Sequence, residues 1–161
     1  MTNFYSFHGT VTKISDFYTG QEGEGCNKLM TVENGSGAIV NFVVSPTTYF
    51  VNHVMVAVGD RVTGYYDGNA PALLIYPPQY NALVMVKDNP NQNVKVDYFN
   101  SQLVSSDGQL QLNISPYTPI VINNGQAFTR PPVNRDLIVI YGPSTFSIPA
   151  QTTPYRIIVL C

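Results

Sequence analysis

The chain has 161 residues, enough for one domain or two small ones, and carries 8 Lys and Arg against 10 Asp and Glu, a net charge of −2. Scattered basic residues at that balance exclude a phosphate-neutralising nucleic-acid surface, and no apolar run is long enough to span a bilayer. Only 11% of the residues are charged, against about 25% in ordinary globular proteins, so Asn, Gln, Ser, Thr and Tyr supply most of the polar surface. Such groups lose less on desolvation than charges do, which suits a surface meant for protein contact as well as a neutral soluble β-domain.

Met1-Thr2-Asn3-Phe4-Tyr5 has neither a basic start nor an apolar run, so no secretory leader is expected. Thr2, Asn3, Phe4, Tyr5, Ser6 and Phe7 read as an extended arm that could add to a neighbour's sheet. Residues 7–14 alternate and are rich in β-branched side chains, a strand signal. A Gly-rich loop follows, with Asp16, Gln21, Glu22, Glu24 and Cys26. Its spacing matches no EF-hand loop, and its carboxylates would repel phosphate, so a solvated loop is expected. Strands are predicted at 28–33 and 38–44, flanking the turn Asn34-Gly35-Ser36-Gly37. A short apolar run at 54–58, an alternating strand at 61–66 and a clear strand at 82–87 complete the first half. The polar stretch 89–93 reads as a link between residues 1–88 and 94–161. Beyond it, 94–98 opens a second series, and 102–105 and 109–114 flank the turn Ser106-Asp107-Gly108. Asn123-Asn124-Gly125 marks another turn, and 137–141 and 156–160 close the series. No stretch has helical periodicity. A single helical turn at 46–49, or at 116–118, is the most that the pattern permits.

The two series are a duplication. Residues 44–51 (VSPTTYFV) return as 114–121 (ISPYTPIV), 60–65 as 136–141, and 78–86 as 153–161, offsets of 70, 76 and 75. Duplication makes each half a folding unit with an opening strand, a hairpin, a fourth strand and a closing strand. The predicted fold is all-β, with two small five-stranded antiparallel barrels of OB type in tandem. The alternative is a β-sandwich spanning both halves.

Candidate chemistry is sparse. His8 and His53 stand alone, without the clustered ligands a metal site needs. Ser45 precedes a proline, lacks a Gly-x-Ser-x-Gly elbow, and has a counterpart at Ser115 with no histidine after it. Turn chemistry explains both serines. Neither a general base with a positioned partner nor a cofactor motif is visible, so no enzyme and no cofactor are expected. Tyr65, Tyr66, Tyr76 and Tyr80 cluster around the loop at 67–72 and could line a cleft that stacks on a glycan. Cys26 and the last residue, Cys161, are compatible with free thiols, with an intersubunit disulfide, or with an intrachain bridge if their Cα atoms lie within about 7 Å.

Val58-Gly59-Asp60-Arg61-Val62-Thr63-Gly64-Tyr65-Tyr66-Asp67, Leu74-Ile75-Tyr76-Pro77-Pro78-Gln79-Tyr80 and Ser147-Ile148-Pro149-Ala150-Gln151-Thr152-Thr153-Pro154 carry a resemblance. The chain resembles a β-domain family of spore-forming Firmicutes, in which a similar domain is found beside stalk domains of the copper-amine-oxidase N-terminal type. Its motifs mark turns, so it carries over no functional residue. The resemblance implies a bacterial, non-enzymatic role at a cell or spore surface, with the cytoplasm as the alternative location. Composition and resemblance together predict a structural protein that assembles with copies of itself into a surface filament or layer. A monomeric glycan-binding module is the alternative.

Overall fold

The computed structural model describes residues 1–18, 20 and 24–161. Among them are thirteen strands and one 3-10 turn at Val51–His53, with no α-helix; the protein is all-β. The chain divides into two compact units, one of Phe4–Asp88 and one of Asn89–Cys161 together with Met1–Asn3. The expected boundaries placed residues 1–3 with the first half and 89–93 in a link. Instead, the Thr2 N–H donates to the Asp136 carboxylate at 3.2 and 3.3 Å, within the second unit.

In the first unit, β1 (Phe4–Asp16), β2 (Lys28–Glu33), β3 (Ile39–Val44), β4 (Tyr49–Phe50), β5 (Arg61–Asp67), β6 (Gln79–Asn81) and β7 (Val84–Lys87) form one sheet. Their order is β4-β7-β5-β1-β2-β3-β6. Alternation decides which side chains go in: Met30 and Val32 on β2 face Phe42 and Val40 across the antiparallel ladder with β3, and all four are buried. The hairpin turn lies where Asn34-Gly35-Ser36-Gly37 predicts it. The Asn34 side-chain oxygen accepts from the Ser36 and Ala38 N–H groups at 2.9 and 3.0 Å, and Gly37 takes φ +85°. Strand β1 is longer than predicted. Phe4–Thr10 pairs with β5, Thr10 onwards pairs with β2, and the register shifts between Val11 and Lys13. The apolar run at 54–58 forms no strand, yet Val56 is buried in the core and Val54 packs against it.

In the second unit, β8 (Asn93–Phe99), β9 (Leu110–Leu112), β10 (Ile120–Ile122), β11 (Arg135–Tyr141), β12 (Ala150–Thr152) and β13 (Arg156–Val159) form a four-stranded sheet, β10-β13-β11-β8, and a pair, β12-β9. The predicted strand at 102–105 is reduced to the bridges Phe99↔Ser105 and Val104↔Gln111. The core of this unit gathers Phe99, Leu110, Leu112, Leu137, Val139, Ile157 and Val159. Burying a side chain of this size contributes about 1.5–3 kcal/mol.

The expected pairing and repeat offset need correction. The halves are not purely antiparallel. β3–β6, β4–β7, β9–β12 and β10–β13 pair parallel. Each such pair is joined by a long connection rather than a hairpin, and a crossover of that length permits parallel pairing. Among the described residues, moreover, none of the three sheets closes on itself. The repeat offset of the closing strand also differs. β7 pairs Val62↔Lys87 to Tyr65↔Val84, and β13 pairs Leu137↔Val159 to Ile140↔Arg156. With residues 62–65 matched to 137–140, an offset of 75 rather than 76, these ladders equate Val84–Lys87 with Arg156–Val159, an offset of 72 rather than 75. The two cis X–Pro bonds, Tyr76–Pro77 and Ile148–Pro149, fall at the same offset.

The Ser-Pro blocks form the same turn twice, and it is not helical. The Ser45 and Ser115 N–H groups donate to Thr48 and Thr118 Oγ1 at 3.0 and 3.2 Å. The Thr48 and Thr118 N–H groups return to the Ser45 and Ser115 carbonyls at 3.0 and 3.2 Å. Thr48 Oγ1 then donates to the Ala82 carbonyl at 2.8 Å, and Thr118 Oγ1 to the Pro154 carbonyl at 3.4 Å. Each threonine thus ties its turn to the chain just before the closing strand.

Candidate functional site

The four predicted cleft tyrosines do not converge. Tyr66 at the end of β5 and Tyr80 in β6 stack face to face, with ring centroids 3.9 Å apart and planes 6° from parallel. Tyr5 meets the Tyr66 ring edge-on at 6.1 Å, and Phe42 lies 6.2 Å away on the core side. Tyr65 is half-buried on β5, where alternation turns it to the face opposite Tyr66, and Tyr76 is exposed in the loop before β6. Burial, and then the hydrogen bond with the Tyr80 hydroxyl, push the Tyr66 phenol up to about 12. Tyr5, expected in the arm, belongs to this cluster instead. Only the strand pairing Tyr5↔Tyr66 brings it there.

The arm itself is a correction. Phe4, Tyr5, Ser6 and Phe7 are paired residues of β1, opposite Asp67, Tyr66, Tyr65 and Gly64, while Thr2 and Asn3 belong to the second unit. Residues already hydrogen-bonded to their own sheet are not a free donor strand. Cys26 and Cys161 are both exposed and free. The Cys161 N–H donates to Asn123 Oδ1 at 2.8 Å, which holds the last residue against the turn at 123–125.

The other candidates resolve into structural contacts. His8 Nε2 lies 2.9 Å from Asp88 Oδ2 on the surface of the first unit. The His53 ring packs edge-on against Tyr49 at 5.9 Å, on backbone of positive φ at Asn52 and His53. The Ser45 hydroxyl lies 2.8 Å from Thr47 Oγ1. In the acidic loop, Asp16 pairs with Lys28, and Gln21 and Glu22 lie outside the described residues. Among the described residues, no group of three His, Cys, Asp or Glu could hold a metal ion, and no helix is long and apolar enough to cross a membrane.

A charged cluster lies in the second unit. Asp107 is bound by Lys95 Nζ, by Ser105 Oγ at 2.6 Å and by the Gln109 N–H at 3.0 Å. Partial burial works to raise the Asp107 carboxyl, but the hydrogen bonds from Lys95, Ser105 and Gln109 outweigh it and lower it. Burial raises the neighbouring Tyr141 phenol. A carboxyl lowered on folding stabilises the native state above its unfolded value of about 3.9, and that contribution is lost as the pH falls through the lower folded value. Urea titrations should therefore show the parent more stable than Asp107→Asn at pH 7, with the difference shrinking steadily below about pH 4. A difference that does not change with pH would mean that the carboxylate charge plays no part.

What reading the sequence missed are two apolar loops. Before β6, Leu73, Leu74, Ile75 and Tyr76 are exposed, Leu74 fully so at 105%. Before β12, the loop in the corresponding place exposes Phe146 at 106% and Ile148 at 83%. Each lies between the fourth strand of its unit and the closing segment. No charged residue occurs from Gly68 to Val86 or from Leu137 to Tyr155. The available signal was an apolar run bracketed by Pro71, Pro77 and Pro78, since proline makes loop more probable than strand there. No family model, curated protein or solved structure matches the chain.

Proposed function

We propose that the protein is a non-enzymatic structural subunit that assembles with copies of itself, as part of a filament or layer at a bacterial cell or spore surface. The observation that carries this reading is the pair of exposed, uncharged apolar loops at 73–76 and 146–148, in corresponding places of the two units. Large apolar side chains in contact with water favour a partner that removes them from it. A second copy fits best. The chain's charge of −2 and 11% charged residues set up little repulsion between copies. Two loops per chain allow each subunit to make two contacts, and a head-to-tail contact that does not close extends into a filament. Cys26 and Cys161, exposed and free, are placed to crosslink neighbours.

Each unit also reads as a five-stranded OB-type barrel. What supports this is the closing segment changing partners midway. The Ala82 N–H donates to Val43 of β3, and the next N–H, Leu83, to Tyr65 of β5, at 3.0 and 2.8 Å. In the second unit the Asn113 N–H donates to Thr152 and the Tyr155 N–H to Ile140, both at 2.8 Å. One segment thus bridges the third and fourth strands of each unit, as closure of such a barrel requires. The glycan-binding alternative has less support, because Tyr66 and Tyr80 cover each other's faces.

Light scattering behind a sizing column tests the reading. The parent should give large, concentration-dependent particles, shifting with reductant if Cys26 or Cys161 links copies. The variant Leu74→Ser/Ile75→Ser/Phe146→Ser/Ile148→Ser should elute as a monomer near 17.7 kDa with unchanged circular dichroism. A monomeric parent in both buffers, or a loop variant that assembles like the parent, sinks the proposal.

A further inference from the structure

We propose that Tyr66 and Tyr80 are a built-in oxidative crosslinking site, at which the two rings couple through their ortho carbons to an intramolecular dityrosine. The inference does not depend on assembly, because both rings belong to one unit. The rings are stacked nearly parallel with centroids 3.9 Å apart and planes 6° from parallel, so the carbons of one ring lie against those of the other. Among the described residues no other two tyrosines stack face to face. The remaining tyrosine contact, Tyr5 on Tyr66, is edge-on at 6.1 Å. Radical coupling is limited by the encounter of two phenoxyl radicals, and holding the rings in contact removes that step.

The chemistry balances with a peroxide as oxidant. A haem peroxidase takes one electron from each phenol, and each phenol releases its hydroxyl proton. The two phenoxyl radicals form one carbon–carbon bond. Each ring then regains aromaticity as its ortho hydrogen moves to the phenol oxygen. Hydrogen peroxide accepts the two electrons and two protons and leaves as two waters. Tyr5 is half exposed while Tyr66 and Tyr80 are partly covered. Tyr5 is thus the group an oxidant meets, and its edge contact passes the radical inward to Tyr66. The product ties β5 to β6, strands that share no ladder, and so staples the closing segment to the rest of the unit.

The test exposes the full-length protein to hydrogen peroxide and a haem peroxidase, with free tyrosine oxidised in parallel as a positive control. Dityrosine fluorescence, the intact mass of the monomer and peptide mapping are read. The monomer should lose two hydrogen atoms, gain dityrosine emission, and yield a crosslinked peptide pair containing residues 66 and 80. Tyr66→Phe and Tyr80→Phe keep the stack without the hydroxyl, and each should bring the monomer signal to background. Tyr117→Phe should leave it intact, and Tyr5→Phe should slow it. Emission confined to covalent dimers, a monomer signal that survives both Tyr66→Phe and Tyr80→Phe, or no coupling while free tyrosine couples would each overturn the proposal. If one phenylalanine variant fails to fold, the other together with the parent's peptide map decides the matter.

Discussion

Phe42→Ala should destabilise the first unit by about 3–5 kcal/mol, the cost of truncating a fully buried aromatic side chain. Phe42 is 0% exposed, and its ring fills the space over Gly64. A Cβ added at Gly64 would lie 2.5 Å from Phe42 Cζ, inside any tolerable contact. The absent side chain at 64 and the large one at 42 are therefore one packing solution shared by β5 and β3. A domain's whole stability is about 5–15 kcal/mol, and small units have less, so the loss should move the urea midpoint far and strip protection from the Met30, Val32 and Val62 amides. Phe42→Leu, which refills most of the volume, should cost clearly less. A double-mutant cycle gives the sharper check. Gly64→Ala alone should destabilise, but in the Phe42→Ala background the clash is gone and the added methyl sits in the cavity. The double variant should then be more stable than the sum of the single effects implies. Strict additivity would show that the two positions do not share the packing described.

Gly9→Val should cost about 3 kcal/mol, at the upper end of what overpacking does. Gly9 sits where β1 passes from β5 to β2, and the β1–β2 ladder starts at Thr10↔Glu33. A Cβ there would lie 2.4 Å from the Glu33 oxygen, 2.7 Å from its carbon and 3.0 Å from the Asn34 nitrogen. All three are backbone atoms, so no rotamer change relieves the contact. The hairpin would have to move as a body, breaking pairs on β2. In the second unit the same ladder position holds Asp97, opposite Leu137 as Gly9 is opposite Val62. There the space is used differently. Asp97 is buried and accepts from Ser106 Oγ at 2.6 Å and from the Tyr98 N–H at 2.7 Å, fastening the strand to the turn that follows Ser105. Urea denaturation of Gly9→Val and Gly9→Ala measures the first half of this contrast. A loss below about 1 kcal/mol in both would mean that the hairpin yields freely.

The same contrast shows how far residue patterns reach. The turns at 34–37, 106–108 and 123–125, the doubled Ser-Pro turn and the burial alternation of β2 and β3 follow from local chemistry. An Asn or Ser oxygen bonds N–H groups two to five residues away, glycine takes positive φ, and a period of two sorts side chains between faces. The duplication and the all-β class were legible for the same reason. Partners distant in sequence were not. The closing segment's three-residue difference in offset, its change of partner from the third strand to the fourth, and the parallel pairs depend on which backbone groups meet across 15 to 40 residues. Local propensity does not encode that choice. Met1–Asn3 joining the second unit, Tyr5 reaching Tyr66, and Tyr66 closing on Tyr80 instead of opening a cleft with Tyr76 are of this kind. So is the exposure of Leu74 and Phe146, since an apolar residue in a loop is a core candidate until the fold shows that nothing covers it. Sequence alone thus determined where this chain turns and that it repeats, because those are short-range energies. The tertiary structure alone decided which strands pair, in what register, and which apolar and aromatic side chains are left exposed, because those come from the collective burial of the whole unit.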